Sequence, residues 1–422
     1  MNRRKFVSVV SAGVASAGAT LVGEGARAQQ AKGAGRAVAP SDEIGVGVIG
    51  PGSRGREIMR HFMRVPGVKV RAVADVYEPR FAEARRLTKE ETPAYTDYRK
   101  MLERKDLDAV IVASPLHLHA EHVVASVESG RHVYGEKSLG YSVEHCDRIV
   151  AATRRSGKHL QVGHQYRYAP WFHEAVRRIN EGEIGEVKHV FGYWHRNNDW
   201  RRPVPDPKLE RLINWRMYKE YSNGLMAELG SHMIDVANWV FNSVPESVVG
   251  SGGVDFWKDG REVNDNVQAI FRYPGGRTFV FSSLLENHKV GNQQWVYGSE
   301  GSVELTMEDG NFFYEKDRRR TQTPASAEIV ERGVTTGATY SPRGDMPYRG
   351  PGAPIKPPGD GPKGDPTYLC CKSFVDSLRD DKRPFADEQV GYNSAVAVVL
   401  ANKAIEDERR IKFADHVKAK TD

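Results

Sequence analysis

Three groups of residues in this chain have spacings that chemistry can use. Gly50-Pro51-Gly52-Ser53-Arg54-Gly55 is a G-x-G-x-x-G that leaves an apolar run and enters a helical pattern. Gly50 permits a tight turn, and Gly52 lets the backbone approach a diphosphate. Gly55 lets the helix pack close to a sheet while its N-terminus faces negative charge. Ser53 and Arg54 sit in the same loop and are candidate ligands of that anion. Asp75 ends the next apolar run, where a carboxylate accepts hydrogen bonds from ribose hydroxyls and repels a 2′-phosphate. Together these residues predict a dinucleotide site, for NAD ahead of NADP, with Arg80 leaving some room for the phosphorylated form.

The second group is Glu228, His232 and Asp235, which at i, i+4 and i+7 share one face of a helical stretch and could enter a common cleft. The third is His195-Arg196-Asn197-Asn198-Asp199-Trp200, whose donors, acceptors and indole suit sugar hydroxyls and ring faces. Gln165, Tyr166 and Arg167 fall at a domain junction, where facing substrate and orienting the domains are equal readings. His117 and His119 form an H-x-H, but no carboxylate or cysteine is spaced to complete a site, so no metal is expected. Cys146, Cys370 and Cys371 contain no C-x-x-C and two are adjacent, which points to buried packing and not to a bridge.

These groups need a scaffold, and the chain is long enough at 422 residues for two domains. The fold class is α/β. From Ile44 to Gly163 short β-branched runs alternate with helical patterns, which predicts a doubly wound parallel sheet, a Rossmann domain over 42–163. Its six strands fall near Ile44–Ile49, Val68–Ala74, Ala94–Tyr95, Ala109–Ala113, His132–Tyr134 and His159–Val162. After Gly163 the rhythm changes to an α+β open-sheet domain over 164–422. Its elements are a helix near Trp171–Ile179, a strand near Val187–Trp194, a long helix from Gly224 to Phe241 and several runs at hairpin spacing. The latter include Val267–Tyr273, Thr278–Leu285 and Gln294–Tyr297. A Gly/Pro-rich surface loop over 337–366 precedes two C-terminal helices, Thr367–Leu378 and Gln389–Glu406.

With Val112-Ala113-Ser114-Pro115, then His119, then Gly135-Glu136-Lys137, the chain from Ile44 onward resembles the glucose-fructose oxidoreductase / inositol dehydrogenase (Gfo/Idh/MocA) family. The resemblance implies an NAD-dependent oxidoreductase acting on a sugar or polyol hydroxyl, with a second domain that also serves oligomer contacts. It places Gly50, Gly52, Gly55 and Asp75 on the dinucleotide and Ser114 and His119 beside its nicotinamide half. Glu136 and Lys137 match the family's E-K-P element, whose lysine reaches the reacting hydroxyl and the nicotinamide ribose. Ser138 stands here in place of the proline, which puts the usual turn in question. The family's aspartate four residues before the histidine is Glu228 in this chain. Lys137 and His232 are then the candidate base and proton partner, with Glu228 beside them.

Asn2-Arg3-Arg4-Lys5 ahead of an Ala/Gly/Ser-rich stretch, with Ala26-Arg27-Ala28 beyond it, reads as a twin-arginine signal over 1–28. Residues 29–41 read as a disordered lead-in, and no later apolar run is long enough to span a bilayer. The formal charge of +6 falls to +3 without the signal, and no clustered basic stripe marks a nucleic-acid groove. Periplasmic or secreted localisation is expected, with a homo-oligomer as the working state. Export of a folded protein implies a dinucleotide retained through turnover. Net oxidation of a sugar or glycoside, glycoside hydrolysis through a transient ketone, and a non-catalytic cofactor-loaded binding protein all remain open.

Overall fold

The computed structural model describes residues 43–315, 352–356 and 364–417. The expected signal, the lead-in and most of the 337–366 loop lie outside the described residues.

The first sheet is built from β1 (Ile44–Ile49), β2 (Val68–Ala74), β3 (Ala94–Tyr95), β4 (Ala109–Val112), β5 (His132–Gly135) and β6 (Leu160–Val162). All neighbours are parallel and the order is β3-β2-β1-β4-β5-β6. β1 and β4 are buried along their whole lengths, as the apolar runs require of strands covered on both faces. The order reverses between β1 and β4, and a crevice opens there at the carboxyl ends of the strands.

The second sheet contains β7 (Val187–His195), β8 (Ser247–Gly253), β9 (Asn266–Arg272), β10 (Thr278–Leu284), β11 (Asn292–Gly298), β12 (Gly301–Thr306), β13 (Gly310–Tyr314), β14 (Ala353–Pro354) and β15 (Ile411–Lys412). Their order is β14-β13-β12-β11-β7-β10-β9-β8-β15, antiparallel except for β7 beside β10. Every second residue of β9, β10 and β12 is buried. That alternation leaves one face for the helices Ser231–Phe241 and Glu388–Glu406 and the other open. The open face carries Phe191, Trp295, Tyr297 and Phe313 in mutual aromatic contact, with Ile270 47% exposed.

Two features depart from the sequence reading. The stretch 224–241 is not one regular helix: Met226–Gly230 forms a π-helical turn that leads into the α-helix Ser231–Phe241. The helix Pro366–Asp380, expected in the second domain, packs instead on the first. There Phe374 meets Phe62 and Tyr134 edge-on at 6.0 and 5.9 Å, and Gln161 donates to the Cys370 carbonyl at 2.8 Å. All three cysteines are free and buried.

Candidate active site

The glycine loop closes β1 onto the helix Ser53–Met63. Gly50 has φ +82°, a conformation that favours glycine, and a Cβ there would meet the Ala113 carbonyl at 2.8 Å. A Cβ on Gly55 would lie 2.2 Å from the Gly50 oxygen. A Cβ on Gly52 would meet nothing nearer than Arg80 Cζ at 3.9 Å, because it would project into an open cavity of about 430 Å³. The helix starts without a side-chain cap or an acidic residue in its first turn, so its N–H groups remain available to an anion. Asp75 lies on the same cavity and accepts from Arg80 Nη1 at 2.9 Å and from the Tyr77 N–H at 2.9 Å. This cradle fits a dinucleotide, with the glycine turn under its diphosphate and Asp75 at the adenosine end.

A second cavity of about 600 Å³ adjoins the first, and Ser53, Arg54, Ser114 and Arg202 lie on the walls of both. Lys137 stands on its wall at the loop after β5, and the Lys137–Ser138 peptide bond is cis. Lys137 Nζ donates to the carbonyls of Glu228 at 2.8 Å and Ala227 at 3.2 Å, both in the π-helical turn. Two of the three ammonium donors are thus spent on backbone oxygens, which leaves one position on the nitrogen for the cavity. Burial lowers the Lys137 pKa against the opposing pull of Glu228 and Glu136.

Glu228, in the π-helical turn, lines the same cavity. Its Oε2 takes Arg216 Nε at 3.0 Å and lies 3.9 Å from Lys137 Nζ. Burial opposes its ionisation, yet Arg216 and Lys137 outweigh that and hold the carboxyl below its ordinary value. His232 also lines the cavity, with its ring 5.1 Å from Tyr166 and 5.6 Å from Trp194. Burial, then Lys137, drives its pKa well down, so it is neutral imidazole, with Nδ1 lacking a partner among the described residues.

Arg54 is a brace. It reaches Glu136 at 3.1 Å, Glu57 at 3.0 Å and Gln165 Oε1 at 3.0 Å, so the glycine loop, the lysine loop and the domain junction are tied through one guanidinium. Ser114 Oγ pairs with His122 Nδ1 at 2.9 Å. His119 lies between the carbonyls of Ser114 (3.0 Å) and Ser138 (2.9 Å), and fixes the backbone beside Lys137.

The remaining candidates divide. Gln165 and Trp200 line the larger cavity. Arg167 and Asp235 do not: they are buried against each other at 2.8 Å, with Arg167 stacked over Trp239 and Phe385, so they orient the junction. His195 turns to Ser282 Oγ at 3.0 Å, Asn197 bridges Glu286, and Asp199 accepts the Arg201 N–H at 3.0 Å. None of these three lines the cavity. Their neighbours Arg196 and Asn198 do, because β7 ends at His195 and the chain beyond it presents the other set. Arg202, Trp215 and Arg216 were not singled out from sequence; only their proximity to the polar loop could have flagged them. No cluster of potential metal ligands occurs among the described residues.

Two family models match this architecture. Residues 44–164 match the oxidoreductase family NAD-binding Rossmann fold, and residues 172–304 match the GFO/IDH/MocA C-terminal domain. The chain carries both domains of the Gfo/Idh/MocA oxidoreductase family. Among curated relatives of this Gfo/Idh/MocA chain, the myo-inositol 2-dehydrogenase of Thermotoga maritima is 24% identical over 88% of this chain and 98% of its own. The levoglucosan dehydrogenase of Pseudarthrobacter phenanthrenivorans is 26% identical over 69% and 79%. A solved levoglucosan dehydrogenase, in complex with NADH and levoglucosan, superposes with a TM-score of 0.68 at 21% identity, covering 88% of this chain and all of that one. The last likeness speaks for the Gfo/Idh/MocA fold alone.

Proposed function

We propose that this oxidoreductase oxidises a secondary hydroxyl of a sugar or polyol, with Lys137 as the base and NAD held tightly in the glycine cradle. The observation that carries this is Lys137 Nζ, on the wall of the larger cavity and fixed by the Ala227 and Glu228 carbonyls. When bound, the dinucleotide supplies the hydride acceptor. The neutral Lys137 amine takes the hydroxyl proton, and its two N–H bonds stay on the backbone carbonyls while the lone pair faces substrate. Glu228 stabilises the ammonium that results. Neutral His232 holds the substrate oxygen or an adjacent hydroxyl, and Trp194 and Trp200 exclude water.

The Arg3-Arg4 leader supports export of the folded protein to the periplasm or beyond, with its cofactor aboard. Under that reading the dinucleotide is reduced and reoxidised in place. Purified without added cofactor and then denatured, the protein releases close to one NAD(H) per chain; none from folded protein would overturn the retained-cofactor reading. The aromatic open face of the second sheet supports a homo-oligomer, and light scattering returning the monomer mass would overturn that.

Asp75 supports NAD over NADP, since its carboxylate would oppose a 2′-phosphate. Asp75→Ser frees Arg80 from its 2.9 Å pair and raises the NADP-to-NAD ratio of kcat/KM by about 10-fold or more. An unchanged ratio would mean that the adenosine end lies elsewhere.

A further inference from the structure

Charge in the larger cavity does not balance. Glu57 and Glu136 are held by Arg54, and Glu228 by Arg216 with Lys137 facing it. Arg201 pairs outside the cavity with Asp259 at 3.2 Å and with Glu210. Two guanidiniums on the wall, Arg196 and Arg202, have no carboxylate partner among the described residues. Arg202 has another duty: its Nη2 donates to Ser53 Oγ at 2.9 Å, above the glycine turn, where a dinucleotide diphosphate would face it.

Arg196 has none. Its side chain makes no hydrogen bond among the described residues and lies over the faces of Trp194 (5.3 Å) and Trp200 (5.9 Å). A half-buried cation left without an anion is unfavourable, and a guanidinium offers a planar fork that matches a carboxylate's two oxygens. Trp194 also borders His232, at 5.6 Å between rings. One indole therefore lies between the unpaired cation and His232, the group that holds the substrate oxygen, and Trp200 adds a second indole to the same cavity wall.

Building on the oxidoreductase reading above, we propose that Arg196, flanked by Trp194 and Trp200, binds a carboxylate of the substrate, which makes that substrate an acidic sugar of the uronate class. The hydroxyl presented to Lys137 then belongs to the same ring that Arg196 anchors.

The test is calorimetric titration of the full-length, NADH-loaded protein with glucose against glucuronate and galactose against galacturonate, with glucose 6-phosphate as a further arm. NADH loading blocks oxidation, so the titration reads binding alone. Each uronate is expected to bind at least about 10-fold more tightly than its neutral partner. Arg196→Met abolishes that preference and Arg196→Lys keeps part of it, with NADH fluorescence showing that both variants are folded and loaded. Equal binding within each pair, a preference that survives Arg196→Met, or tighter binding of the phosphate than of the uronates would overturn the carboxylate assignment. NAD-loaded protein given the same sugars then tests the reaction separately. Selective uronate binding without NADH formation would reject the oxidoreductase reading and leave Arg196 as the anion site.

Discussion

Lys137→Met lowers kcat by roughly 10²- to 10⁴-fold, the range associated with loss of a positioned general base. The loss should fall on kcat more than on dinucleotide affinity, because the glycine cradle and Asp75 are untouched. Lys137→Arg should not rescue, since a guanidinium stays protonated at any working pH. Small primary amines added to Lys137→Met should restore part of the rate. The wild-type pH profile carries the same information. Burial lowers the folded-state pKa of Lys137, and only the unprotonated amine can accept the hydroxyl proton. Activity therefore rises with pH and levels off above that lowered pKa, at a lower pH than an exposed lysine would allow. A pH profile of the variant that retains the same rising limb would assign it to another group. His232 supplies no such limb at neutral pH, since it is already uncharged there.

The second large effect separates two glycines of one motif. Gly55→Ala places a methyl 2.2 Å from the Gly50 carbonyl oxygen, a backbone atom that cannot move without opening the turn. Overpacking of this kind costs about 1–3 kcal/mol or more, and the shifted helix N-terminus no longer aims at the diphosphate. Both the melting temperature and NADH affinity should fall. Gly52→Ala has nothing within 3.9 Å to strike, so the fold should melt as wild type. Its methyl enters the space meant for the ligand, and NADH affinity alone should drop. Thermal denaturation with NADH fluorescence titration checks both. If the two variants behaved alike, the distinction between a packing glycine and a ligand-approach glycine would be lost.

Period and punctuation made the first sheet legible. Its central strands are short β-branched runs buried on both faces, so apolar run and strand coincide in β1 and β4, and β1, β2 and β3 fall where the pattern places them. The glycine loop was readable because each glycine has a backbone reason to be there. The face Glu228-His232-Asp235 was legible only in part: Glu228 and His232 reach one cavity, although a π turn stands at Met226–Gly230, and Asp235 does not join them. Asp235 is drawn instead to Arg167, which comes from a distant segment that spacing along one helix does not reveal. In the loop after Trp194 the composition pointed to the right region. Which side chains enter the cavity depended on where β7 stops, and local composition does not encode that. Arg54 shows the same limit: its three partners, Glu57, Glu136 and Gln165, come from three segments of the chain.

The helix Pro366–Asp380 has a consequence for how the molecule comes into being. Phe374, Cys370 and Val375 complete the packing around Phe62 and Tyr134, so the first domain made by the ribosome lacks part of its interior until the second has been synthesised as far as Asp380. Nascent chains released early would expose that gap and be open to chaperones and proteases. Stable loading of the dinucleotide would then wait for Pro366–Asp380 to emerge, long after the glycine loop itself is made.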